Sequence, residues 1–123
     1  MVSIGQVVLG VTEMPRAVRF WTQALHYIPR AGAATEKWTI LDPVNGLGVP
    51  VALGLSSSPV QQVPRIHLDL FAETTQEHRQ EVERLVALGA ELVEWELYPD
   101  NPDFVVLADP EGNRFCVIDL SHG

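Results

Sequence analysis

The chain contains an internal repeat, and this repeat limits the fold more than any other feature of the sequence. An apolar run typical of a strand begins at Gln6, and a similar run begins 61 residues later at His67. A helix-like stretch follows each run. Each copy then contains an Asp-Pro turn, at Asp42 and at Asp109, 67 residues apart. Two copies of one unit predict a pseudo-symmetric fold whose equivalent positions mark the site.

Length, charge and cysteine content narrow the class of protein. A chain of 123 residues forms one domain, and each half alone would be marginal in stability, so the halves should share a core. The net charge of −8 argues against nucleic acid and anionic membranes as partners, because both attract Lys and Arg. We expect a cytoplasmic protein, since Cys116 has no disulfide partner within the chain and neither a signal peptide nor a membrane span is evident.

Each copy is predicted to contain one helix. In the first copy Pro15 suits the first helical position, apolar residues recur at helical spacing, and Pro29 requires an end near His26. In the second copy Thr74 and Glu77 resemble a capping box. The predicted buried side of this second helix comprises Val82, Leu85, Val86 and Leu88, and Gly89 ends it.

Strand-like runs surround both helices and complete the predicted fold. They lie at residues 4–11, 37–41, 49–55, 65–71, 91–98, 104–108 and 114–120. With one further strand in each copy the order is βαβββ twice. This order predicts an α+β domain over 1–123, with a cupped sheet and the helices on its outer face. Module 1 spans about 1–57, the linker about 56–64, and module 2 about 65–123.

Several stretches resemble the vicinal oxygen chelate superfamily of glyoxalases, bleomycin resistance proteins and extradiol dioxygenases. The spacing of residues 6–25 resembles the opening of these proteins, and residues 67–70, 84–90 and 106–117 resemble the glyoxalase-like branch. The resemblance implies paired βαβββ modules that form a cup for a small molecule. It also implies that a divalent metal, where present, has up to four ligands, two from each module.

The residues at the implied ligand positions depart from the family pattern. Gln6 matches the first position and His67 the third, and both are ligand types that the family uses. The fourth position is normally Glu, but Cys116 occupies it here. Alignment of the two copies places Ala52 at the second position, where it offers no ligand. Both anionic donors are therefore missing. The positive charge of a divalent ion would then be uncompensated in a partly desolvated site.

This donor set leads to two alternatives for a cofactor. The leading prediction is that no metal is bound. The alternative is a divalent Zn, Ni, Mn or Fe ion held by Gln6, His67 and Cys116, with Asp69 as a candidate substitute ligand on the same strand face.

Strand alternation selects the side chains that would line the cup. If Gln6 and His67 face inward, then Val8 also does, while Ile66, Leu68 and Leu70 pack under the helices. The predicted binding residues are Gln6, Trp38, Arg65, His67, Asp69, Trp95, Phe104, Arg114 and Cys116. Aromatic walls with a few polar groups are typical of small-molecule sites.

The resulting hypothesis is a glyoxalase-like protein that binds an apolar or aromatic metabolite without the usual metal centre. It leaves open whether His67 acts as a general base in a metal-independent reaction. The rival hypothesis is a metal-dependent lyase, isomerase or dioxygenase with an atypical ligand set. A third hypothesis is that side chains fill the cup and the protein acts through a dimer surface. The resemblance implies a homodimer, and the net charge favours neither a nucleic-acid nor a membrane partner.

Overall fold

The computed structural model describes all residues, 1–123, and divides them into two compact units. The N-terminal unit is Met1–Pro59 and the C-terminal unit is Val60–Gly123, so the division falls within the stretch 56–64. Each unit contains one helix and four strands in the order β-α-β-β-β. The predicted α+β class is confirmed. In the first copy the additional strand, Tyr27–Ala34, directly follows the helix, whereas all four strands of the second copy correspond to predicted runs.

The N-terminal unit forms an open four-stranded mixed sheet in the order β1-β4-β3-β2. Its elements are β1 (Val7–Val11), α1 (Met14–Leu25), β2 (Tyr27–Ala34), β3 (Trp38–Pro43) and β4 (Val51–Leu55). The C-terminal unit repeats this topology as β5-β8-β7-β6. Its elements are β5 (Leu68–Ala72), α2 (Thr75–Leu88), β6 (Glu91–Leu92), β7 (Phe104–Ala108) and β8 (Arg114–Asp119).

In both units the first strand pairs in parallel with the last, and the two registers are equivalent. Val8 lies opposite Ala52 in the N-terminal sheet, and Asp69 lies opposite Cys116 in the C-terminal sheet. Because Val8 and Asp69 are separated by the same 61 residues as the repeat, Ala52 and Cys116 occupy equivalent positions. The alignment of the two copies is therefore confirmed at the level of strand register.

Helix α1 buries one apolar face and ends where the sequence predicts. Its buried residues are Met14, Ala17, Phe20, Trp21 and Ala24. His26 adopts the left-handed conformation, with φ of 57°, and its N–H bonds to the carbonyl of Thr22. A non-glycine residue in this conformation is uncommon, but it ends the helix in time for Pro29 to enter β2, which is an edge strand.

Helix α2 begins with the predicted cap, but it buries fewer residues than expected. The Thr74 hydroxyl accepts a hydrogen bond from the N–H of Glu77 at 3.0 Å, while the Glu77 carboxylate accepts from the N–H of Glu73 at 3.2 Å. Leu85 is the only buried residue of the helix, and Val86 is 41% exposed, so the prediction that Val86 is buried is wrong. Charged residues lie on both sides of the apolar stripe of α2. Only a narrow face of the helix can therefore be buried against the sheet.

Strand β6 is much shorter than the predicted strand over 91–98, and a tyrosine explains why. Pairing with β7 stops after Leu92, which lies opposite Leu107. The N–H of Val106 instead donates to the hydroxyl of Tyr98 at 2.8 Å. A side chain therefore satisfies a backbone donor that a longer β6 would have paired, and the intervening residues follow an irregular path.

A buried carboxylate joins the end of β8 to the start of α2. Asp119 is 5% exposed, and its carboxylate accepts hydrogen bonds from the Thr75 hydroxyl at 2.7 Å and from the N–H and hydroxyl of Ser121 at 3.0 and 3.1 Å. The Thr75 hydrogen bond lowers the pKa of Asp119 below its ordinary 3.8, with help from Ser121 and the nearby His78.

This lowered pKa predicts a pH dependence of folding. The stabilisation that the Asp119 carboxylate provides is complete above the unfolded-state pKa and is lost as the pH falls through the lower folded-state pKa. We expect Asp119→Asn to unfold at a lower urea concentration than the parent at neutral pH, and the difference to shrink as the pH falls below about 4. The matched control is Asp100→Asn, at an exposed carboxylate. If the urea midpoints of Asp119→Asn and the parent differ equally at all pH values, the lowered pKa of Asp119 is contradicted.

Neither helix has the length and apolarity that crossing a bilayer requires.

Candidate functional site

One side of the C-terminal sheet is open and carries the polar groups that the sequence singles out. In β5, Leu68 and Leu70 are half-buried on the side of α2, whereas Asp69 and Phe71 are exposed on the other side, here called the open face. Ile66, predicted to pack under the helix, precedes the strand and is 84% exposed, so that expectation is wrong. Strand alternation begins only at Leu68.

Three side chains on the open face form a polar cluster, here called the His67 cluster (His67, Asp69 and Cys116). Strand register brings Asp69 opposite Cys116, and His67 lies two residues before Asp69. His67 Nε2 is 3.0 Å from Asp69 Oδ1. The potential ligand atoms of all three side chains lie within 4.8 Å of one another.

The protonation of Cys116 follows from its surroundings. The side chain is 7% exposed, and burial, reinforced by the charge and hydrogen bond of Asp69, raises its thiol pKa to about 11. The thiol therefore remains protonated at neutral pH and donates to Asp69. A cysteine in this state is a poor nucleophile, because the thiolate is the reactive form.

Asp69 has two interaction partners within the cluster. Its carboxylate accepts from the Cys116 thiol and also contacts His67 Nε2. A carboxylate oxygen at 3.0 Å favours a proton on Nε2, so Nδ1 of the neutral imidazole carries the lone pair. The cluster thus presents a half-exposed base whose ring is oriented by a carboxylate.

Aromatic and aliphatic side chains border the cluster within the same sheet. Phe71 and Phe104 lie opposite Ile118 on either side of it, so all three share the open face. Phe71 is 68% exposed. Phe104 is half-buried against Tyr98, with ring centroids 5.3 Å apart. The sequence-based list includes Phe104 but not Phe71, although alternation from Asp69 would have placed Phe71 on this face.

The other predicted binding residues of the C-terminal unit have less defined roles. Arg114 is half-buried, donates from Nη1 to the carbonyl of Gly112 at 2.8 Å, and has a buried Nε without a hydrogen-bond acceptor. Arg65 is exposed in a bend before β5. Trp95 is half-buried in the irregular segment after β6, so strand alternation does not determine where its ring points.

The N-terminal sheet has an open face of a different character. Gln6 is half-buried directly before β1, and Ala52, at the position equivalent to Cys116, is fully buried and carries no donor. Trp38 lies across the backbone of Gly54, where an added Cβ would be 3.2 Å from the ring carbon Cζ3 and 3.6 Å from Val8. Glycine therefore allows the indole to lie against the sheet. This face is apolar, with Gln6 at its margin.

The structure brings three of the predicted donors together within the C-terminal unit. Asp69 joins His67 and Cys116 in the C-terminal unit, whereas Gln6 belongs to the N-terminal unit. One nitrogen, one oxygen and one sulfur donor within 4.8 Å fit a zinc-like ion, provided that Cys116 gives up its proton. They do not fit Mg²⁺ or Mn²⁺, which prefer several oxygen ligands.

Comparisons with known proteins agree with this architecture. A family model described as a glyoxalase-like domain matches residues 6–118. No curated protein sequence matches the chain.

Several solved structures share the fold at low sequence identity. A glyoxalase/bleomycin resistance protein/dioxygenase family enzyme from Burkholderia phytofirmans PsJN has a TM-score of 0.76 at 15% identity, covering 97% of this chain and 99% of that chain. A glyoxalase-related enzyme from Fulvimarina pelagi has a TM-score of 0.71 at 18% identity, covering 97% and 88%. The fosfomycin resistance protein FosX from Listeria monocytogenes, complexed with Mn(II) and dihydroxypropylphosphonic acid, has a TM-score of 0.73 at 14% identity, covering 96% and 90%.

The family match extends over almost the whole chain, and the repeated β-α-β-β-β topology is the one that the resemblance implies. The chain therefore belongs to the glyoxalase-like domain family.

Proposed function

We propose that this protein binds an apolar or aromatic metabolite on the open face of its C-terminal sheet, without a metal centre. The observation that carries the proposal is the pairing within the His67 cluster. Asp69 already contacts both His67 and the Cys116 thiol, so its carboxylate oxygens already have hydrogen-bond donors. An exposed carboxylate that has these donors and water around it does not require a cation.

The side chains around the cluster support an apolar ligand. Phe71 is a large aromatic residue left exposed in the middle of a strand, next to Ile118 and a polar cluster. Covering such a side chain with a ligand gains free energy in proportion to the apolar area removed from water. A few oriented polar groups beside an apolar surface are typical of small-molecule sites, where they fix the orientation of the ligand.

His67 is the residue that we expect to orient a ligand or to transfer a proton. Its Nε2 contacts Asp69, which leaves Nδ1 to accept a proton or a hydrogen bond from a bound molecule. A side chain that is 40% exposed is accessible to such a molecule. If the protein catalyses a reaction, we propose His67 as the general base.

The experiment that tests the proposal is native mass spectrometry combined with elemental analysis, on protein purified without chelator. We expect a substoichiometric metal content, and the same spectrum reports subunit number, for which we propose a homodimer. Stoichiometric Zn, Ni, Mn or Fe would overturn the metal-free proposal.

Indole, a neutral aromatic probe, tests the location of the site by NMR titration of amide shifts. We expect saturable shifts around Phe71, Phe104 and Cys116. Phe71→Ser should weaken indole binding about tenfold, because it removes an aromatic surface. The matched control is Val86→Ser, at an exposed apolar residue on α2. Equal weakening by both variants would contradict the location.

A metal-dependent function is the second candidate, and it is favoured by the proximity of the three donors in the His67 cluster. His67, Asp69 and Cys116 would hold the ion, which would supply Lewis-acid activation of an oxygen on a bound molecule. The FosX neighbour was solved with Mn(II), so a fold of this type accommodates a metal. Zinc titration by calorimetry separates the candidates: Cys116→Ser should abolish tight binding if zinc is the native cofactor.

A further inference from the structure

The N-terminal unit contains a cleft on the helix-covered side of its sheet, opposite the face that carries Trp38. It lies between the first turns of α1 and the turn that joins β2 to β3, and its volume is about 1020 Å³. Thr39 and Leu55, which alternate with open-face residues, contribute to its wall. Pockets that bind small molecules enclose about 300–1000 Å³, so the cleft has room for one.

The floor of this cleft is apolar. Met14 and Val18 of α1 line it together with Pro29 of β2 and Leu55 at the end of β4. Leu55 is 52% exposed, although Val51 and Leu53, which share its face of β4, are buried. An exposed leucine in a concave surface is a place where an alkyl or aryl group gains free energy by displacing water.

The rim of the cleft is unusually basic for this chain. Arg16, Arg19 and Lys37, three of the eight basic residues, line it in a protein of net charge −8. Arg16 is paired with Glu13 at 3.1 Å, whereas no carboxylate pairs with Arg19 or Lys37. With Glu36 as the remaining acidic residue of the lining, the rim carries an excess of positive charge.

We propose that this cleft binds a small amphipathic carboxylate. The apolar chain would contact Val18 and Leu55, and the carboxylate would lie beside Arg19 and Lys37. Both parts of the ligand are needed, because a small inorganic anion leaves the apolar floor in water and a neutral hydrocarbon leaves the two cations without a partner. The site is independent of the proposed function, because it involves none of the residues of the His67 cluster.

Octanoate is the probe that tests this proposal, in NMR titrations of the full-length protein. We expect saturable amide shifts in residues 12–19 and 34–39 and at Leu55. Acetate, which has the charge without the chain, should bind at least about tenfold more weakly, and octylammonium should not saturate these sites. Equal binding of octanoate and octylammonium would overturn the proposal, and so would shifts confined to residues 67–71, which belong to the other site.

Variants identify the residues responsible. Arg19→Glu and Lys37→Glu should each weaken octanoate binding about threefold, and the double variant about tenfold, as expected for exposed ion pairs. Leu55→Ser should weaken it about fivefold through lost apolar contact. Arg79→Glu on α2 is the matched control, since it changes net charge equally at an exposed arginine outside the cleft. Weakening by Arg79→Glu equal to that of Arg19→Glu would show that only overall charge matters.

Discussion

Phe115→Ala is expected to lower the free energy of unfolding by about 4 kcal/mol, a large share of the total stability of a small domain. Phe115 is 1% exposed and lies in the central strand β8, opposite Leu68 of β5 and Leu107 of β7. Its removal leaves a cavity between the sheet and the rest of the core. Urea denaturation followed by circular dichroism measures the loss.

The chain offers a matched control for this substitution in the adjacent strand. Phe71→Ala removes the same atoms from a side chain that is 68% exposed, on the opposite face of the sheet. We expect it to change the free energy of unfolding by less than about 0.5 kcal/mol. A comparable loss in both variants would mean that Phe71 is buried in solution, and it would contradict the open face.

Cys116→Glu is expected to increase the affinity for divalent metal by about a hundredfold, because carboxylate count governs the affinity of such sites. The new carboxylate would lie beside Asp69 and His67, whose donor atoms already lie within 4.8 Å of the thiol sulfur. In the metal-free protein the two neighbouring carboxylates repel each other, so added Mn²⁺ should also raise Tm. Calorimetry and thermal denaturation measure the two effects.

Cys116→Gln is the control, because it has the same shape as the glutamate variant without the charge. We expect it to bind Mn²⁺ no better than the parent. If the glutamine variant gains as much affinity, then size rather than charge limits metal binding at this position. Circular dichroism of both variants tests whether the substitution, at a residue only 7% exposed, preserves the fold.

The repeat was sufficient to predict the architecture, because each copy encodes the same order of elements. The caps at Thr74 and His26 were also predictable, since they depend on local hydrogen bonding and on the nearby Pro29. The alignment of Ala52 with Cys116 held because both lie in the last strand of a unit, whose register with the first strand is fixed by the buried face.

The expectations that failed depended on long-range contacts. The length of β6 depends on Tyr98, whose hydroxyl satisfies the backbone of a strand that follows it in the chain. The exposure of Val86 depends on how much of α2 the sheet can cover. Asp69 appeared in the sequence as a substitute ligand, and its contacts with His67 and Cys116 became evident only once the register of β5 and β8 was known. The roles of the predicted binding residues stay predictions.

The parallel pairing of first and last strands has a consequence for synthesis on the ribosome. Strand β5 emerges well before β8, so for some 40 residues of translation its backbone lacks the neighbour that it has in the native sheet. Contacts of such large sequence separation slow folding. We therefore expect a nascent chain truncated before residue 114 to leave this edge open to association with chaperones or with other chains, and the emergence of β8 to decide whether the C-terminal unit folds.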